Sequence, residues 1–116
     1  MKSPYELMNW YVVPAIRKNV VLGLMNFGIK QSRISKILDI TPSAVSQYLS
    51  NKRGDGIVFN EEFKSDIDVA VERIVENNDI CFFEINKLAL KFQNKKFICE
   101  LCMKVNNIVD CEDYCK

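Results

Sequence analysis

Apolar residues recur at three- and four-residue spacing in one segment after another, and that spacing predicts a succession of amphipathic helices. Ile16, Val20, Leu24 and Phe27 form a stripe in a first helix that Pro14 opens and Gly28 ends. From Gln31 onward, Ile34, Leu38, Ile40, Val45 and Tyr48 fill the positions that a pair of short helices joined by a tight turn must bury. Gly54-Asp55-Gly56 then breaks the pattern, and residues 54 to 60 are expected to form a linker or an exposed turn. The period resumes with Phe63, Ile67, Val71, Ile74 and Val75, a stripe that can serve either as core or as a dimer seam. Cys81, Ile85, Leu88 and Phe92 predict a further helix from about Ile80 to Gln93, and Phe97, Leu101 and Val105 continue in helical register. The predicted class is all-α. A helix-turn-helix bundle in residues 1–56 precedes two or three helices and a cysteine-rich tail in residues 57–116. At 116 residues, 48% of them hydrophobic, the chain is long enough for one compact domain with a real core.

The segment Gln31 to Arg53, QSRISKILDITPSAVSQYLSNKR, carries more than hydrophobic spacing. Asp39 falls at the turn, where a residue at positive φ is expected and where Asp is one of the few non-glycine residues tolerated. Thr41 is an N-cap residue and Pro42 is preset for the first helical position, so the start of the second helix is well fixed. Ser43, Ala44 and Gln47 are expected on the face opposite Val45 and Tyr48, short or polar enough to approach base edges in a major groove. Gln47 could pair with an adenine, and the Ala44 methyl could touch a thymine methyl. Gln31, Ser32, Ser46, Lys52 and Arg53 are placed on phosphates, where they set affinity and register rather than sequence preference.

Charge supports that reading. Between Lys30 and Arg53 five basic residues face Asp39 alone, a balance of plus four. Between Asn60 and Asp79 seven acids face Lys64 and Arg73, a balance of minus five. The formal net charge of +1 hides a basic front and an acidic back.

The unit resembles the phage-repressor type of helix-turn-helix. Its wider frame is Trp10 to Arg17, WYVVPAIR, then the unit, then YLSNKRG. That frame looks like a family of small archaeal transcriptional regulators with a cysteine-containing C-terminus, in which a Pro-Ala-Ile-Arg-like opening precedes the unit and the recognition helix ends in Lys-Arg-Gly. The likeness covers roughly half of the chain. It implies sequence-specific binding to a double-stranded DNA operator, usually by a homodimer. Ser35 departs from the usual Ala and Asp39 from the usual Gly, and both are small enough to be accommodated.

Four of the five cysteines, Cys99, Cys102, Cys111 and Cys115, lie in the last 18 residues, spaced C-x2-C and C-x3-C, and the chain contains no histidine. Any metal site there is thiolate-rich. Zinc and an iron–sulfur cluster both accept four cysteines. The Cys99–Cys102 step lacks the Gly or Pro of a zinc knuckle and continues a helical pattern, which favours an iron–sulfur cluster over structural zinc. Reduced thiols without a ligand, or disulfides, are the bland alternatives. Cys81 shares a stripe with Ile85, Leu88 and Phe92 and is expected to be a buried small hydrophobe rather than a fifth ligand.

No run approaches the roughly 20 apolar residues that cross a bilayer, and Met1 to Glu6 lack a signal pattern, so a cytoplasmic protein without a membrane partner is expected. Without histidine the Ser-His and Cys-His nucleophile pairs are unavailable, and no Gly-rich phosphate loop is present. A non-enzymatic regulator is therefore expected, modulated by the state of its cysteine tail. A thiol-based adaptor that binds another protein is the competing function.

Overall fold

The computed structural model describes residues 3–54, 56–93 and 96–106. The protein is all-helical in these residues: α1 Pro4–Leu7, a π-helical turn Met8–Val12, α2 Val13–Asn26, α3 Gln31–Leu38, α4 Pro42–Leu49, α5 Glu61–Glu76, a 3₁₀ turn Asn78–Ile80, α6 Cys81–Gln93 and α7 Lys96–Asn106. No helix among the described residues is long and apolar enough to cross a membrane.

The first helical stretch begins ten residues earlier than Pro14 suggests. Ser3 Oγ accepts from the Glu6 amide at 3.2 Å and Glu6 Oε1 accepts from the Ser3 amide at 3.3 Å, a reciprocal capping box that starts α1. Pro14 sits in the first turn of α2, as its sequence predicts, but the chain before it is already helical. Its ring lacks an N–H and crowds the carbonyl four residues back, and the chain answers by widening over Met8–Val12, where the Val13 amide reaches Met8 O, five residues away. Ile16, Val20 and Leu24 are buried as the stripe predicts. Phe27 is not: it caps the end of α2 and stands exposed.

Helix α2 is the hub, packing on α3, α4, α5 and α6. Its crossing with α5 is close because Gly23 has no side chain; a Cβ there would lie 2.8 Å from Val71 Cγ2. The stripe on α5 is core: Phe63, Ile67, Val71 and Ile74 are all buried within this single chain. Asn60 starts α5 by accepting from the Phe63 amide at 2.9 Å. Phe63 also joins Phe59 and Phe92 in a ring cluster with centroids 4.8 to 5.7 Å apart, which ties α5 to α6. One hydrophobic core runs from Leu7 to Cys102 and draws on residues both before and after the Gly54–Gly56 break.

Position 84 is three residues from Cys81 and four from Leu88, so Glu84 lies on the buried stripe of α6. Its side chain is 4% exposed, with Arg73 Nη1 of α5 at 3.4 Å and Lys87 Nζ at 3.6 Å supplying compensating charge. One turn on, Lys91 Nζ lies 2.6 Å from Asp66 Oδ2, a charge contact whose angles fall outside hydrogen-bond geometry.

Candidate nucleic-acid interface

The α3–α4 pair forms as its sequence predicts, and the end of α3 and both ends of α4 have local causes. Asp39 takes the left-handed conformation, φ 53° and ψ 48°. Its amide donates to Lys36 O at 3.3 Å and the next amide, Ile40, donates to Ser35 O at 3.0 Å, which is a Schellman closure. Thr41 Oγ1 accepts from the Ala44 amide at 3.0 Å, and Pro42 follows in the first helical position. Ser35 is buried and its hydroxyl donates back to Ser32 O at 2.8 Å, which satisfies the polar group that stands where alanine is usual.

Two further closures repeat the device. Gly28, at φ 85°, ends α2 with the Gly28 amide on Met25 O and the Ile29 amide on Leu24 O. Asn51, at φ 63°, ends α4 with its amide on Tyr48 O and the Lys52 amide on Gln47 O. The same bond pattern therefore fixes the C-terminal ends of α2, α3 and α4. The chain beyond α4 is held by contact as well: a Cβ on Gly54 would lie 2.4 Å from Pro14 O, and one on Gly56 2.8 Å from Tyr11 Cδ1. This brings Lys52 and Arg53 to a loop seated on the start of α2 and the π turn. Arg53 extends over the Tyr48 ring, its guanidinium carbon 5.7 Å from the centroid.

The outward face of α4 carries Ser43, Ser46 and Ser50, with Gln47 half-buried at its edge. Gln31, Ser32, Lys52 and Arg53 are exposed. Ala44 needs correction. It is only 5% exposed, because it lies one turn before Tyr48 and points with it toward the core; its methyl cannot reach a base from this packing. Ser50, three and four residues beyond Gln47 and Ser46, shares the outward face and was signalled by the same spacing. The basic residues Lys30, Arg33 and Lys36 are exposed on and before α3, and Arg33 Nη2 donates to Asn78 Oδ1 at 2.8 Å, linking α3 to the 3₁₀ turn after α5.

Of the four tail cysteines, Cys102 is 1% exposed on α7, one turn after the buried Ile98. Cys99 belongs to the same helix, three positions before it, and its side chain lies outside the described residues, as do Cys111 and Cys115 altogether. Helix α7 packs on α6 and α1. Among the described residues no three His, Cys, Asp or Glu side chains are grouped to hold a metal. Cys81 is a free thiol, 1% exposed at the start of α6, and burial, partly opposed by Arg17, pushes its pKa from 9.0 to about 11. It behaves as the buried small hydrophobe expected of it.

The chain matches no protein-family model, no curated protein and no solved structure.

Proposed function

We propose that the protein is a sequence-specific DNA-binding transcriptional regulator that inserts α4 into the major groove and works as a homodimer. The observation that carries this reading is the combination at α4: a short helix with both ends fixed by hydrogen bonds and a small polar outward face of Ser43, Ser46, Gln47 and Ser50. Exposed Lys52 and Arg53 follow it at once. Ser43 and Gln47 read bases; Gln31, Ser32, Ser46, Lys52 and Arg53 hold the phosphate backbone.

Competition binding to one selected duplex and its base-pair variants tests the assignment. Gln47→Ala should lose about 1–3 kcal/mol of discrimination at one base position, whereas Arg53→Ala should weaken all sequences alike and flatten the salt dependence. Equal losses for Gln47→Ala on selected and random DNA would contradict base reading by this helix.

The second half of the proposal concerns the tail: Cys99, Cys102, Cys111 and Cys115 hold an iron–sulfur cluster whose gain or loss modulates DNA binding. The donor set is all thiolate, the usual ligation of such clusters, in a chain without histidine. A bound cluster supplies sensitivity to iron, sulfide supply or redox state. Because Cys102 is buried where α7 meets the core, a change of its ligation would disturb the packing of α7 on α6 and α1. Anaerobic purification with iron, sulfide and zinc counted per chain should give matched iron and sulfide. One zinc per chain would instead make the tail a structural clip, and no metal at all would favour thiol chemistry or the adaptor reading.

A further inference from the structure

Beside the turn between α3 and α4, α2, α3 and α6 border an open-mouthed cavity of about 400 Å3. That volume lies within the roughly 300–1,000 Å3 of small-molecule sites. Its walls are apolar: Val13 from α2, Ile37 and Leu38 from α3, Ile85 and Ala89 from α6, each only half-buried and so retaining surface that an occupant would cover. Phe82 stands beside it, 74% exposed, an aromatic ring left in water with a cavity at its foot. Arg17, Asn86 and Asp39 supply the polar side chains of the lining, and the buried Cys81 thiol completes it. Arg17 is exposed and pairs with no carboxylate among the described residues, although acids are abundant in the chain.

We infer that this cavity binds a small organic monocarboxylate with an apolar body, its carboxylate on Arg17 and its body against Val13, Ile37, Leu38, Ile85 and Ala89. A guanidinium at the edge of an apolar cavity selects a planar anion through paired N–H donors. Asn86 adds a neutral hydrogen-bonding group. Asp39 sets the charge: its carboxylate at the rim opposes a second negative group, so dicarboxylates and phosphate esters are disfavoured. Filling the cavity would also brace the last turn of α3 and its Asp39 cap against α2 and α6. Ligand binding would thereby change how α3 and α4 are held relative to the scaffold, by no more than its differential affinity for the two arrangements. That regulatory consequence rests on the DNA-binding reading; the site itself does not.

The test uses the full chain without DNA, labelled at Ile and Leu methyls for NMR, with hexanoate, octanoate and phenylacetate as probes. Hexanamide and phenylacetamide serve as uncharged isosteres. At least one carboxylate should give saturable shifts centred on Ile37, Leu38 and Ile85, with its amide binding at least tenfold more weakly. Arg17→Met should bring the acid down to the level of the amide, and Arg17→Lys, which keeps the charge, should preserve the preference for the acid. The inference is overturned if no carboxylate saturates these methyls, if acid and amide bind alike, or if Arg17→Met leaves the preference intact in a chain whose spectrum shows it folded. Because no DNA is present, failure here and failure of the DNA-binding reading are separate results.

Discussion

Asp39 and Asn51 hold positive φ without being glycine, each at a helix end where two backbone bonds depend on the left-handed turn. Asp and Asn bear that conformation at less cost than other side chains, and this is why both boundaries are readable from residue type. Cys81 has a different consequence, visible at alkaline pH. Its folded pKa, about 11, lies above the ordinary 9.0, so the folded chain holds the thiol proton more tightly than the unfolded chain does. The contribution is fully present below about pH 9 and is lost as pH rises from there toward 11, to a total of about 2–3 kcal/mol. Urea titrations of wild type and Cys81→Ala at several pH values between 8 and 11 check this. The difference between the two stabilities should shrink as pH rises; a constant difference would mean that the thiol titrates normally in the fold.

Elements formed by consecutive local signals were legible in the sequence. The α3–α4 pair is the clearest case, since Asp39 and Thr41 act through bonds within three to five residues and Pro42 through its fixed φ. The Ser3–Glu6 capping box was equally local and went unread because Pro14 offered a plausible later start. The π turn was not legible, because a proline in mid-helix can either end the helix or widen it, and only packing of both flanking segments on the core decides. Ala44 is small enough to suggest a groove contact, but its four-residue spacing from Tyr48 puts it on the buried face. Glu84 shows the limit of hydrophobic patterns: its place on the stripe is periodic, but its identity makes sense only with Arg73 of the neighbouring helix. Its two cationic partners are more than half exposed and its own side chain is buried, so the pair is asymmetric. Glu84→Gln should cost about 1 kcal/mol or less, leaving two solvated cations, while Arg73→Ala with Lys87→Ala should cost about 2–3 kcal/mol by stranding a buried carboxylate. Chemical denaturation of both variants measures this; the reverse order would contradict the role assigned to Glu84.

At the scale of the molecule, α2 connects everything that the proposed function needs. It touches both α3 and α4, carries Arg17 at the cavity, seats the Gly54 loop through Pro14, and packs on α5 through Gly23. A shift at α6 or α7 can therefore reach α4 through a continuous core rather than through a flexible linker. An all-helical chain in one compact domain was foreseen, but which stripes meet in the core was not, because contacts between distant stripes leave no trace in sequence spacing.

The most direct measurement is selection of bound duplexes from a random pool by the full chain, followed by sequencing. Reading by α4 as a homodimer predicts an enriched palindrome whose half-sites are centred one helical turn apart, about 34 Å or 10–10.5 base pairs, or a multiple of it. A pool that returns without enrichment, or with a single asymmetric half-site, would contradict it.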